Sequence, residues 1–166
     1  VVDVVIVGSG GAALVAATGF GLGLVPVAPG TFGTLPGVLV ALLLVRLPLV
    51  AHLAALAVLT VAAIPLCSIA ERHFGKKDDR RIVADEWMTF PICVIGLPAH
   101  PLVYAGAFVV NRVLDIVKPP PARQLQALGG GTGIVIDDLF SSLYSLAVNH
   151  ALFWTAVNVV GPRLHG

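Results

Sequence analysis

A nearly unbroken apolar run spans residues 35–70, interrupted chiefly by Arg46, Pro48 and His52. Its second half, residues 53–70, has 18 residues, which is just enough for a transmembrane helix. Pro65 would kink such a helix, and a membrane tolerates this where neighbouring groups satisfy the freed backbone. The mean hydropathy of the chain, +0.96, is far above that of ordinary soluble domains. The run therefore favours an apolar helix associated with a membrane.

A second apolar stretch covers residues 87–110 and is split by the sequence Pro-Ala-His-Pro at 98–101. Each half has about 10 residues, or roughly 15 Å of helix, which is half a bilayer. We therefore expect a helical hairpin or a re-entrant pair. Residues 112–123 are polar and proline-rich, 129–133 are a glycine loop, and 134–160 form a last apolar helical region.

These segments predict an all-α fold. They are rich in Leu and Ala, too long for strands, and lack the alternation of a half-buried strand. A chain of 166 residues fits one domain. We expect a multi-helix bundle with membrane-associated hydrophobic helices; the alternative is a soluble all-α domain with one wholly buried central helix. The net charge of +1 gives no broad basic surface for nucleic acid.

Charge is concentrated in residues 71–86, which hold five acids and five bases out of nineteen charged residues. Such a segment is expected at a wet surface or interface. The five Lys or Arg residues here, and three more in 112–123, predict that both segments lie on the cytoplasmic side.

Five carboxylates lie beside apolar runs, in the stretches VADEW, LDIV and IVIDDLF: Asp85, Glu86, Asp115, Asp137 and Asp138. Burying a carboxylate costs several kcal/mol even after relaxation. Two carboxylates about 4 Å apart repel by roughly 4 kcal/mol at an effective dielectric near 20. Oxygen ligands without a nearby His or Cys indicate Mg²⁺ rather than zinc.

The N-terminus carries a partial dinucleotide fingerprint. The stretch VVDVVIV is followed by Gly8-x-Gly10-x-x-Ala13, as in a strand, glycine turn and helix. The acid expected about 20 residues on is missing, because the nearest one downstream is Glu71. We therefore expect no dinucleotide cofactor. No basic segment precedes the apolar stretch, so a signal peptide is not expected either.

The segment 29–34, PGTFGT, is a candidate phosphate site. Its glycines free the backbone to direct N–H groups at an anion, and Thr34 can cap a helix with Pro36 in its first turn. The candidate donors are Gly30, Thr31, Gly33 and Thr34. An ordinary capped turn is the alternative.

Arg112, Asp115 and Lys118 are spaced i, i+3, i+6 and would share one helix face about 120° wide. An acid between two cations suits a phosphate bridging a metal and a guanidinium. The alternative is a surface salt bridge. The glycines at 129–133 permit close backbone approach ahead of Asp137 and Asp138. The alternative to metal binding for these two acids is that they compensate the dipole at the N-terminus of a helix.

Together these motifs resemble the phosphatidylglycerophosphatase A family. The likeness runs in the family's order through residues 19–34, DEW at 85–87, NRVLDIVKPPPARQL at 111–125 and GGGTGIVIDD at 129–138. Residues 1–18 match nothing in that pattern, which divides the chain into an atypical leader (1–18) and a helical domain (19–166). Three further departures are Thr89 for Gly, Asn111 for Phe, and Ser141-Ser142 for an Ala-Gly pair.

The resemblance implies helices around one central helix, and Mg²⁺-dependent hydrolysis of phosphatidylglycerophosphate to phosphatidylglycerol at the cytoplasmic side of the bacterial inner membrane. The five acids would then bind Mg²⁺, while Arg112, Lys118 and residues 30–34 hold the phosphate. One alternative is a transporter or channel, whose acids would lie at different depths. The other is a nucleotide-binding oxidoreductase, which needs a parallel sheet after Val7.

Overall fold

The computed structural model describes residues 9–160, and these form α-helices without any strand. The predicted all-α class is confirmed. The strand part of the dinucleotide fingerprint lies outside the described residues, but the chain is helical from Ser9. The sheet that an oxidoreductase needs is absent from residues 9–160. The helices are α1 (Ser9–Ala17), α2 (Pro29–Leu44), α3 (Leu49–Phe74), α4 (Ala84–Thr89), α5 (Pro101–Val117), α6 (Ala122–Leu125) and α7 (Gly130–Thr155), with 3₁₀ turns at Leu22–Leu24 and Phe90–Val94 and a π-helical turn at Ala156–Val160.

Helix α7 is the central helix of the bundle, because it packs against α3, α4, α5 and α6. Small residues let its neighbours approach. A Cβ on Gly131 would lie 2.0 Å from the carbonyl oxygen of Ile64, and the Gly131 N–H donates to Ser68 Oγ at 2.9 Å. The glycine run thus places α7 directly on the backbone of α3.

Helix α3 extends the predicted span 53–70 at both ends. Its 26 residues rise about 39 Å, more than the roughly 30 Å of a bilayer core. It is the one helix within residues 9–160 that is long and apolar enough to cross a membrane, and only 22% of its most apolar 18-residue stretch is buried. The alternative of a wholly buried central apolar helix does not describe α3.

The expected hairpin over 87–110 is wrong in its first half. That half is the end of α4 followed by the 3₁₀ turn Phe90–Val94, in which every side chain is buried. These side chains pack against Ala41 of α2 and against Tyr104 and Ala107 of α5. The stretch is apolar because it fills the core, and the second half continues as α5 to Val117.

The charged segment 71–86 is only partly wet. Four of its last five residues, Ile82–Asp85, are buried. The N–H of Val83 donates to the carbonyl of Ala17 at 2.8 Å, and the Val83 side chain fits against Gly33, where a Cβ would come within 2.4 Å of it. The segment therefore turns inward and delivers Asp85 and Glu86 to the centre of the bundle.

Candidate active site

Four of the five predicted acids converge on one cavity of about 290 Å³. It lies between the start of α2, the loop after α3, the start of α4, the end of α5 and the middle of α7. A transporter would spread its acids along a path, so this convergence favours a site for chemistry on one ligand. Its lining includes Ala28, Pro29, Gly30, Thr31, Asp78, Arg80, Ile82, Asp85, Glu86, Arg112, Asp115, Ile116, Lys118 and Asp138.

Arg112 joins two of the acids. Its Nη1 lies 3.0 Å from Glu86 Oε2 and 2.9 Å from Asp115 Oδ2. The Thr34 hydroxyl lies 3.0 Å from the same Glu86 oxygen. The i, i+3 salt bridge expected as the alternative does form, but its side chains are only 15% and 12% exposed, so it is not a surface pair. The guanidinium therefore offsets the negative charges of Glu86 and Asp115 at a place that is largely closed to water.

Asp85 and Asp138 lie deeper and have no cationic partner within hydrogen-bond distance among the described residues. Asp85 Oδ1 is buried without any hydrogen-bond partner there. Burial raises the pKa of both carboxyls well above the usual range, and neighbouring acids raise it further. Burial also raises the pKa of Glu86 to about 7, although Arg112 opposes this. In the absence of a cation, the cluster favours protonated acids.

Asp137 forms an ion pair with Lys118 and does not line the cavity. Consecutive residues on a helix point about 100° apart, so Asp137 and Asp138 diverge. Burial raises the pKa of Asp137 to about 6, against the opposing effect of Lys118. Burial alone would lower the pKa of Lys118, but its hydrogen bond to Asp137 raises it.

The shared helix face expected for Arg112, Asp115 and Lys118 is wrong for the lysine. Helix α5 ends at Val117, and Lys118 takes a left-handed conformation (φ 48°) as its C-cap before the three prolines. This turn directs the ammonium group across to α7, while the lysine still lines the cavity.

The predicted helix start at Thr34 is also wrong, because α2 begins at Pro29 with Ala28 as its cap. Gly30 and Thr31 therefore lie in the first turn and line the cavity. The other two predicted donors have different positions: Gly33 packs on Val83, and the Thr34 hydroxyl reaches Glu86. Gly30 faces the ion pair so closely that a Cβ would lie 2.3 Å from Glu86 Oε1.

The dipole-compensation alternative for Asp137 and Asp138 fails, because these acids lie about two turns inside α7 and its first turn holds no acid.

Sequence reasoning missed Asp78 and Arg80, which line the cavity from the loop after α3. The Gln126 side-chain amide donates to Asp78 Oδ2 at 2.6 Å and fastens this loop to the residues after α6. No sequence signal separated these two residues from their charged neighbours.

The donor set fits a hard divalent cation by charge and chemistry. Five acids line the cavity against three bases, and all the acids offer oxygen. Within residues 9–160 no three His, Cys, Asp or Glu side chains form a ready-made group around a metal. Arg112 holds Glu86 and Asp115, which leaves Asp78, Asp85 and Asp138 as the cavity acids without a cationic partner among the described residues, and Asp78 accepts from Gln126.

All four residues at which the chain departs from the family pattern are buried, and three of them make side-chain hydrogen bonds. The Thr89 hydroxyl donates to the Asp85 carbonyl at 2.7 Å, and the Ser142 hydroxyl donates to Thr89 Oγ1 at 3.2 Å. Asn111 Oδ1 accepts from Ser145 Oγ at 3.1 Å and from Cys93 Sγ at 3.2 Å. Thr89, Ser142 and Asn111 therefore have hydrogen-bond partners, whereas the buried hydroxyl of Ser141 has none among the described residues.

Comparison with known proteins places these features in a family. The family model described as Phosphatidylglycerophosphatase A matches residues 15–153, which include every residue of the cavity. No solved structure matches the chain significantly.

Several curated proteins are similar to this chain. A Phosphatidylglycerophosphatase A of Escherichia coli is 33% identical over 134 residues, covering 80% of this chain and 78% of the relative. One of Haemophilus influenzae is 34% identical over 142 residues, covering 83% and 87%. A Bacteroides thetaiotaomicron protein with the provisional name phosphatidylinositol-3-phosphatase is 36% identical over 145 residues, covering 82% and 91%. The chain belongs to the phosphatidylglycerophosphatase A family.

Proposed function

We propose that this protein is a membrane-associated, Mg²⁺-dependent phosphomonoesterase that hydrolyses phosphatidylglycerophosphate to phosphatidylglycerol and phosphate. Membership of the family supports the reaction class and the lipid substrate. The observation that carries the site assignment is the convergence of three buried acids and the half-buried Glu86 with Arg112 and Lys118 on one cavity. Both charge signs are needed there, because the ligand is an anion and the acids would otherwise repel it.

The terminal phosphate of the substrate would bind to the basic side of the cavity. Arg112 offers a planar pair of N–H donors that matches phosphate oxygens, and Lys118 adds a point charge. Gly30 and Thr31 bring the N-terminal turn of α2, where the helix dipole favours an anion. Gly33 and Thr34 support this binding indirectly, through Val83 and Glu86.

Mg²⁺ would be held by Asp85 and Asp138, with Asp115 and Glu86 joining as Arg112 turns to the phosphate. Asp137, which the sequence predicts as a further ligand, does not line the cavity in the geometry described above and would instead position Lys118. When bound, the ion supplies positive charge that offsets the acids and the phosphate and polarises the phosphoryl group.

Hydrolysis forms one bond between a nucleophilic oxygen and phosphorus and breaks the bond between phosphorus and the terminal glycerol oxygen. The nucleophile is either water or an aspartate oxygen. With water as the nucleophile, a cavity carboxylate takes the proton of the attacking water and passes a proton to the departing alkoxide, which becomes a hydroxyl of phosphatidylglycerol. With an aspartate nucleophile, a phospho-enzyme forms first and water then cleaves it.

Membrane association would follow from α3. Its apolar surface is largely exposed, and its C-terminal end leads into the charged loop that reaches the cavity. That end would lie on the cytoplasmic side of the inner membrane; the five Lys or Arg residues of 71–86 support this orientation under the positive-inside rule.

Phosphate release from phosphatidylglycerophosphate in detergent micelles tests the proposal. We expect release with Mg²⁺, none after treatment with EDTA, and recovery when Mg²⁺ is restored. Asp138→Asn should lower kcat at least 100-fold, because the amide keeps the side-chain shape but removes the charge that faces the cation. Asp79→Asn is the matched control: Asp79 is also buried, but it pairs with Arg81 outside the cavity.

Circular dichroism on both variants verifies that the helical fold is retained. Equal activity of the parent and Asp138→Asn, or activity indifferent to EDTA, would rule the proposal out.

Phosphatidylinositol 3-phosphate is the second candidate substrate, because the Bacteroides relative carries the corresponding name. Both lipids present a phosphomonoester on a diacylglycerol anchor, so the same cavity chemistry serves either. The ratio of kcat/KM for the two lipids in identical micelles decides between them. A higher kcat/KM for the inositol lipid would make that lipid the substrate, and the reaction class would remain phosphomonoester hydrolysis.

A further inference from the structure

A second cavity lies between α2 and α5, along the same two helices that line the acidic cavity. We propose that it binds the acyl-ester region of the phospholipid whose phosphomonoester occupies the acidic cavity; this inference rests on the proposed function. The occupant is a fatty-acyl ester of a glycerolipid, held by apolar contacts and by one hydrogen bond from Tyr104 to an ester carbonyl.

The position of this cavity is set by the antiparallel course of α2 and α5. Near the acids, the start of α2 (Gly30) faces the end of α5 (Arg112). Further along, Val38 and Leu42 of α2 face Tyr104 and Phe108 of α5 across a cavity of about 500 Å³. That volume lies within the range of small-molecule sites, roughly 300–1,000 Å³. The two cavities share no lining residue, but they follow one another along the same pair of helices, so a lipid whose phosphate binds at the acids can extend to the second cavity.

Tyr104 supplies a buried polar group in a groove whose only other polar side chain, among the lining residues, is that of the exposed His100. Its residue is 4% exposed, it lines the cavity, and its hydroxyl has no hydrogen-bond partner among the described residues. Leaving a buried hydroxyl unpaired costs about 1–3 kcal/mol, so a bound acceptor would be favoured there. An ester carbonyl is an acceptor that can enter an apolar groove without bringing a charge.

The spacing along α5 agrees with the length of the substrate. Tyr104 and Arg112 are eight residues apart, which is about 12 Å along a helix. In phosphatidylglycerophosphate, eleven covalent bonds separate the terminal phosphorus from the ester carbonyl carbon. Extended chains advance about 1.2 Å per bond, by analogy with the three-bond peptide repeat, so these bonds span roughly 13 Å. One lipid can reach both groups.

The mouth of the groove is apolar, as access from a lipid phase requires. Leu35 and Val109 line the cavity and are 44% and 60% exposed. Leu39 and Leu43 extend the apolar surface of α2 beyond it, at 65% and 64% exposure. An acyl chain leaving the groove would meet this surface rather than water.

The hydrogen bond is tested with Tyr104→Phe and two substrates. One is diacyl phosphatidylglycerophosphate, and the other is its dialkyl ether analogue, which keeps the chains but lacks the carbonyls. We expect Tyr104→Phe to raise KM for the diacyl lipid about threefold to tenfold and to leave KM for the ether lipid within twofold. Equal effects on both lipids would show that Tyr104 contributes packing only and would overturn this part.

The groove itself is tested with Ala105→Trp. Ala105 lines the cavity and is exposed, so the indole fills the groove without entering the core. Ala57→Trp is the matched control on the exposed surface of α3. We expect Ala105→Trp to lower kcat/KM for the diacyl lipid, relative to its deacylated head group, at least tenfold. The control should leave that ratio unchanged, and an equal loss in both variants would contradict the proposal.

A binding measurement separates failure of the groove from failure of the proposed function. Phosphatidylglycerol carrying a diazirine in one acyl chain should label α2 or α5 in the parent and in Ala57→Trp, but not in Ala105→Trp. Equal labelling by a matched phosphatidylcholine would assign the groove to bulk lipid and overturn the proposal. If the parent protein is labelled but releases no phosphate, the proposed function is contradicted while the lipid-binding role of the groove is retained.

Discussion

At the scale of single residues, the acidic cavity depends on a missing side chain. Gly30 stands against the ion pair of Glu86 and Arg112, and a Cβ there would lie 2.3 Å from one carboxylate oxygen and 2.7 Å from a guanidinium nitrogen. Both distances are too short for non-bonded atoms, so any larger residue must move the pair. The glycine thus sets the position of Arg112, the proposed phosphate ligand.

Gly30→Ala should therefore lower kcat/KM about 100-fold, because a shift of about 1 Å in a positioning group can cost that much. Phosphate release in micelles measures the effect. Gly106→Ala is the control, since Gly106 lies within α5 and a Cβ there would meet no atom within 4 Å. Unchanged activity in Gly30→Ala would show that the pair can move freely and would contradict this role.

The acids were predictable from sequence, but their individual roles were not. Asp85, Glu86, Asp115 and Asp138 stand out as carboxylates within apolar runs, and all four line the cavity. Which of Asp137 and Asp138 faces the cavity depends on the rotation of α7 relative to α5. Tertiary packing sets that rotation and the sequence does not reveal it, so both acids were predicted to be metal ligands.

At the scale of helices, the bundle is assembled through close contacts of backbone with backbone. The tightest lies between α7 and α3, where a Cβ on Gly131 would come 2.0 Å from the Ile64 carbonyl and 2.6 Å from Ser68 Oγ. Here the opposing atom belongs to the backbone, which cannot rotate away. An added methyl group must push the two helices apart.

Gly131→Ala should accordingly destabilise the protein by about 1–3 kcal/mol, the usual range for overpacking. In a chain of this size that lowers Tm by roughly 3–10 °C in a thermal melt followed by circular dichroism. Gly106→Ala again serves as the control and should keep or raise Tm, because alanine favours helix. A Tm for Gly131→Ala equal to that of the parent would contradict the close contact.

Long apolar helices could be predicted from the sequence, whereas short core elements could not. The run 53–70 lies within α3 because length and composition alone favour a helix there. The stretch 90–94 is also apolar but forms a buried 3₁₀ turn. Hydropathy does not distinguish a side chain facing lipid from one facing α2 and α5, so the expected hairpin failed where the core begins.

At the scale of the whole molecule, the buried acids connect stability with pH and with Mg²⁺. Burial raises the pKa of Glu86 from 4.5 to about 7 in the metal-free fold. The folded chain then binds more protons than the unfolded chain between these values. The free energy of unfolding therefore falls as pH rises through that interval, and on the order of 2–4 kcal/mol is lost from Glu86 above it.

For the metal-free protein, we expect Tm to fall between pH 5 and pH 7.5. Mg²⁺ should raise Tm at pH 7.5, where the acids are ionised when a cation is present, and have little effect at pH 5, where protons compete. Thermal melts in buffered detergent, with EDTA or Mg²⁺, measure both effects. Asp138→Asn should weaken the response to Mg²⁺, and a Tm independent of both pH and Mg²⁺ would contradict the cation site.

The end of α3 has a kinetic consequence if that helix crosses the bilayer as proposed. The loop that follows it lines the acidic cavity through Asp78 and Arg80, so the cavity would sit at the boundary between lipid and water. A lipid would then arrive by lateral diffusion and remain in its leaflet throughout turnover. The rate would follow the mole fraction of the lipid within the micelle or vesicle, and diluting the whole suspension with buffer would leave turnover per enzyme unchanged.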